Sequence, residues 1–164
     1  MKRQLLIICF LLSFIITHAQ SFQIKDLAHS VGFWKGQLTY LDYSSGKPYT
    51  MQANIRIALT DDKKGWITTY EYPKEPHANS TDTTYLIHRL FGKERIMEFK
   101  KDSNHGFVLV TESDGEDGND HKKAVLKHTY LLRANTVSIK KEVKFNGTTA
   151  WIKRNEYVFT RSTD

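Results

Sequence analysis

The sequence predicts an all-β protein: an antiparallel up-and-down β-barrel of about eight to ten strands, with a short N-terminal helix plugging one end. Three observations predict it. Short segments of alternating apolar and polar residues recur along the whole chain, as in Met51-Gln52-Ala53-Asn54-Ile55-Arg56-Ile57. Turn clusters rich in Gly, Asp, Asn and Ser separate them. No helical period of useful length follows Val31. A meander of this length closes on itself because closure removes the exposed edges.

In chain order, residues 1–19 read as a secretory signal. Lys2 and Arg3 supply the positive start, Leu5 to Ile16 the apolar run, and Thr17-His18-Ala19 the small-residue cleavage site. The expected mature chain is 20–164, one barrel domain, exported to the periplasm or secreted. The apolar run is short of the roughly 20 residues of a membrane span, so no stable membrane insertion is expected after cleavage. Cys9, the sole cysteine, lies in this run. The mature chain therefore has neither a disulfide framework nor thiolate chemistry. Loss of Lys2 and Arg3 takes the formal net charge from +6 to +4. The basic residues are interspersed with acids and form no stripe, so a nucleic-acid partner is not expected.

Ile24, Leu27 and Val31 fall at helical spacing, and Gly32 ends that segment. A first strand, Phe33 to Asp42, contains Gly36, which suits a place where another backbone comes close. Strands follow at Met51–Ile57 and Trp66–Tyr72. The polar connection Pro73 to Asp82 holds two prolines and passes no strand. Further strands are expected at Thr83–Phe91, Arg95–Lys100 and Phe107–Glu112, the last followed by an acidic glycine loop, Ser113 to Asp120. That loop lacks the bidentate glutamate of a calcium loop, since Val125 stands at its twelfth position. The final strands are Lys123–Arg133, Thr136–Phe145 and Thr148–Arg161. Asn146-Gly147 between the last two predicts a type I′ hairpin turn.

Gly32-x-Trp34 stands after a short helix and at the start of the first strand. Arg161 closes the last one, in Tyr157-Val158-Phe159-Thr160-Arg161. This arrangement resembles the calycin superfamily, the lipocalins with their fatty-acid-binding and nitrobindin-like relatives. The resemblance implies that Trp34 packs across the barrel bottom against Arg161, with Gly32, Trp34 and Arg161 serving closure. Independently of family, a guanidinium over an indole face is worth roughly 0.5–2 kcal/mol.

The resemblance also implies a small hydrophobic or amphipathic ligand inside the barrel. Cavity-lining candidates are Trp66, Tyr70, Tyr85, His128 and Tyr130, whose apolar bodies and polar tips suit such a ligand. The alternative is a filled barrel that takes part in structure or interaction and holds no ligand. His128 shares a strand face with Leu126, Tyr130 and Leu132, which points it inward. Nitrobindin-like relatives bind haem through a late-strand histidine, so the resemblance offers His128 as an axial iron ligand. The bland reading is an interior histidine held by a hydrogen bond, and no cofactor is expected. His128 as a general base is the enzymatic alternative. His88 cannot be oriented, because both faces of its segment are apolar. His77 and His105 sit in loops. Arg154 and Glu156 point either inward, as a polar handle, or outward; Trp151, Tyr157 and Phe159 on the other parity favour outward. There is no zinc spacing, phosphate loop, nucleophile elbow or dinucleotide fingerprint.

Overall fold

The computed structural model describes residues 21–101 and 106–163. The expected signal segment and its cleavage site, Cys9 and His105 lie outside the described residues. Two short 3-10 helices (Ile24–Ser30, Pro76–Ala78) accompany ten strands: β1 Gly32–Leu41, β2 Pro48–Leu59, β3 Gly65–Glu71, β4 Ser80–Ile87, β5 Leu90–Phe91, β6 Glu94–Lys101, β7 Phe107–Asp117, β8 Lys122–Leu132, β9 Thr136–Phe145 and β10 Ile152–Arg161. Each strand pairs antiparallel with the next, and β10 returns to β1 to close the barrel. At that seam Trp34 faces Arg161 and Tyr40 faces Asn155.

The alternation puts Ala53, Ile55, Ile57, Trp66, Leu109, Val137 and Phe159 into one core. This apolar half lies towards the N-terminal helix, which caps it with Ile24 and Leu27 together with Phe22 just before it. Phe22 packs against Phe91, Phe99 and Phe107 at ring separations of 5.6, 5.1 and 6.2 Å. Asp26 holds Lys101 of β6 at 2.8 Å, tying the helix to the wall. Val31 does not join the expected apolar stripe; it is 41% exposed. The segment is a 3-10 helix with three residues per turn, so Ile24, Leu27 and Ser30 share the buried face.

The seam explains two glycines. A Cβ on Gly36 would stand 2.0 Å from the Val158 carbonyl oxygen and 2.8 Å from the Phe159 Cα. Gly36→Ala is therefore expected to cost about 1–3 kcal/mol by overpacking. Equilibrium urea unfolding checks it, and an unchanged midpoint would show that the seam has room. Gly32 has φ +137°, and a Cβ there would lie 3.0 Å from the Arg161 Nη1.

Four boundaries differ from the sequence reading, each for a physical reason. The Thr83–Phe91 strand breaks after Ile87: His88 takes φ +56° and turns the chain into the two-residue β5. The strand β4 begins at Ser80, inside the polar connection, where the Asn79 Oδ1 accepts from the Tyr72 backbone N–H at 2.7 Å. Most of the acidic loop is strand, because Glu116 and Asp117 stand opposite Lys123 and Lys122. The turn at Asn146-Gly147 is not type I′: only Gly147 has positive φ, and β10 starts at Ile152.

The wall is thin at one place. The strand β5 covers only Leu86 and Ile87 of β4, and β6 meets β7 no higher than Glu112. Above it, Ser80–Tyr85 of β4 and Ser113–Asp117 of β7 have no strand partner across the gap among the described residues.

Candidate functional site

Away from the helix end, the inward positions turn polar and aromatic. A cavity of about 260 Å³ lies there, lined by Tyr70 within β3 and Tyr72 just after it, Ser80 and Asp82 of β4, His128 and Tyr130 of β8, Ile139 of β9, and Asn155 and Tyr157 of β10. The strand β8 delivers His128 and Tyr130 two residues apart on one face. The Tyr72 and Tyr157 hydroxyls are 2.7 Å apart, and the rings of Tyr70 and Tyr157 are 5.1 Å apart.

The His128 Nδ1 lies 2.8 Å from the Glu94 Oε1. The approach is out of line with a ring N–H, so this contact is electrostatic more than a directed hydrogen bond. The other Glu94 oxygen accepts from the hydroxyl of the fully buried Thr111. Burial alone would raise the Glu94 carboxyl. The His128 contact and charge, the Thr111 hydroxyl and the Lys141 charge outweigh it and hold Glu94 below the usual carboxylate range. Glu94 is therefore an anion at neutral pH. Burial pushes the phenols of Tyr70, Tyr130 and Tyr157 well above the ordinary tyrosine value, so they present neutral hydroxyls. Chemically, the cavity offers aromatic faces, hydroxyl donors and an imidazole beside a carboxylate.

A second polar cluster sits nearer the open end. Asp117, its side chain 3% exposed, takes the Lys141 Nζ at 3.1 Å and the Arg154 Nε at 2.5 Å. The Tyr43 hydroxyl donates to it at 3.1 Å. At the helix end, the Arg161 guanidinium lies 4.1 Å over the Trp34 ring. It donates to the carbonyls of Val31 (3.0 Å), Ala134 (2.9 Å) and His29.

The structure brings Tyr70, His128 and Tyr130 together at the cavity. Trp66 lies beneath it in the core, edge-on to Tyr130 at 5.9 Å and tilted against Phe91 at 5.7 Å. Tyr85 faces outside and is 43% exposed. Its neighbours explain this: Thr84 opposes the buried Trp66 and Leu86 opposes the buried Phe91, so Tyr85 must point away. His88 is on the turn before β5. Arg154 also departs from the outward reading. A bulge between Lys153 and Asn155 turns it inward onto Asp117, while Glu156 stays with Lys153 at 3.0 Å. Glu94, Thr111, Asp117 and Lys141 were not foreseen. Each is a polar residue on an inward parity, the one class that a dry-inside reading discards. Glu94 could have been found by continuing the inward parity of Phe91 across its turn.

Among the described residues no three His, Cys, Asp or Glu side chains converge as a metal site. The space beside His128, about 260 Å³, is below the roughly 300 Å³ at which drug-sized pockets begin, and a haem is larger than a typical drug.

No family model and no curated protein sequence matches the chain. In shape it is similar to Rv2717c from M. tuberculosis, with TM-score 0.57 and 13% identity over 85% of this chain and 96% of that one. It is also similar to the S-type phycobiliprotein lyase CPES from Guillardia theta, with TM-score 0.51 and 11% identity over 87% of this chain and 94% of that one. Identities so low carry the fold alone, a closed β-barrel.

Proposed function

We propose that the chain is an exported, lipocalin-like binding protein that holds a small amphipathic molecule in the cavity beside His128. The observation that carries this is the lining itself. One partly open space has an aromatic floor over Trp66 and Phe91, and phenol and imidazole groups above it. Apolar surface with a few converging polar groups is what a small-molecule site requires. The helix closes the other end, so entry is from the open end or through the gap between β4 and β7. The size favours a ligand smaller than a typical drug, and the tyrosines favour one with a ring and a hydroxyl or carbonyl.

The test is mass spectrometry of the protein purified from an exporting host. The expected results are a chain that begins at Gln20 and a co-purified small molecule. Binding of 2-naphthol, a fluorescent amphipath of suitable size, then reports on the site. His128→Phe and Tyr157→Phe are each expected to weaken it about tenfold, the loss of one hydrogen bond of roughly 1–1.5 kcal/mol. Affinity unchanged in both variants would end this reading.

One observation favours a second reading, catalysis with His128 as general base. Glu94, an anion at neutral pH, stands 2.8 Å from the imidazole and favours its protonated form. Under that reading the co-purified molecule is chemically altered on incubation with the native protein and is unaltered with His128→Phe.

A further inference from the structure

We infer that the rim of the open end carries a second, separate site, for a small organic carboxylate anchored by Arg154. A cleft of about 620 Å³ lies between the turns that follow β1, β7 and β9, and it shares no lining residue with the His128 cavity. Leu41, Tyr43 and Phe145 give it apolar walls, and Arg154 lies at its base.

The arginine is built in. Its side chain is 11% exposed. The Nε is fixed by Asp117, and the guanidinium lies 4.5 Å from the Tyr43 ring and 5.7 Å from the Phe145 ring. The Nη2 lies beside Gly118, on the cleft wall. Neither Nη1 nor Nη2 has a hydrogen-bond partner among the described residues. A largely buried guanidinium whose two Nη groups are unengaged presents a fork that matches the planar, two-oxygen face of a carboxylate.

Asp117 is one carboxylate set between two cations, Lys141 and Arg154; with Asp42, Asp120 and Lys122 counted the cleft is balanced, so the anchor is the Arg154 fork and not a net charge. The other acids of the cleft are engaged locally. Asp42 accepts from the backbone N–H groups of Ser44 and Ser45 at 3.1 and 2.6 Å. Asp120 pairs with Lys122 at 3.1 Å. The volume and the apolar walls call for an organic group behind the anion, not an inorganic ion.

The experiment titrates the full exported chain with 2-naphthoate, following backbone amide and arginine side-chain NMR signals, with inorganic phosphate as competitor. The expected result is saturable shifts at Tyr43, Gly118, Asn119 and the Arg154 Nε. Arg154→Gln is expected to weaken binding at least tenfold. Asn119→Trp fills the cleft from an exposed turn and leaves the Asp117 cluster untouched; the same weakening is expected, so a misfolded Arg154 variant cannot decide the matter. Shifts that map to His128 and Tyr157 instead, binding that survives Asn119→Trp, or phosphate that competes as well as 2-naphthoate would each overturn the assignment. The 2-naphthol titration reads the interior cavity, so either site can fail while the other stands.

Discussion

Trp34→Ala is expected to lower stability by about 3–5 kcal/mol, the range for deleting a buried large aromatic. For a chain of this size that is a fall in Tm of roughly 6–20 °C. Trp34 is completely buried, and its Nε1 donates to the Ser30 carbonyl at 2.8 Å. It sits where β1 meets both β2 and β10, opposite Ile55 and Arg161. Removing the indole empties the space under the Arg161 guanidinium and strands the buried end of the helix. Trp34→Phe keeps much of the apolar area and loses the N–H donor, so an intermediate loss is expected. Arg161→Met keeps the stem and removes the charge. In a double-mutant cycle with Trp34 the coupling is expected at roughly 0.5–2 kcal/mol. Urea unfolding of the native protein, the three single variants and the Trp34→Ala/Arg161→Met double variant measures all of this. A Trp34→Ala loss below about 1 kcal/mol would show that the barrel is closed by something else.

The ends of the barrel were legible because their signals are local. Gly32-x-Trp34 and Arg161 mark a helix-to-strand step and a strand end, and the partner of each is the other. Alternation in β2 and β8 was legible for the same reason: a period of two needs only a few residues, and it put His128 and Tyr130 on one face, the face that lines the cavity. Tyr85 was lost where the period carries no contrast, since Leu86 points in and Ile87 is exposed on an equally apolar segment. Arg154 was lost to a bulge, which shifts the parity by one and leaves no mark in composition. The strand in the acidic loop depends on lysines across the turn, and their pairing becomes visible only once the register is known. Glu94, Thr111, Asp117 and Lys141 share one cause. Polar residues are read as outward, yet at the open end they face in and satisfy one another.

Asp117→Ala is expected to cost about 2–4 kcal/mol. Breaking a buried ionic cluster by removing one member costs about 3–5 kcal/mol, and Lys141 keeps some access to water, which lessens it. The loss should depend on pH, with a definite sign. Burial raises the Asp117 carboxyl, but the hydrogen bonds and charges of Lys141 and Arg154 outweigh it and hold it below the ordinary range. The unfolded chain therefore takes up the proton first as acid is added. The contribution of Asp117 is complete above the ordinary aspartate value of about 4 and is lost as pH falls through the lower folded value. Unfolding midpoints of the native protein and Asp117→Asn should differ most at pH 7 and converge in acid. Glu94 and Glu142 are also held low, so some acid sensitivity should persist in the variant. A difference that stays constant from neutral pH down to about 3, below the ordinary aspartate range, would mean that shape and not charge explains the loss. Adding Arg154→Gln to Asp117→Asn removes the cation left without its partner. If charge imbalance is the cause, the double variant should be more stable than Asp117→Asn alone, even though it has lost one more native side chain.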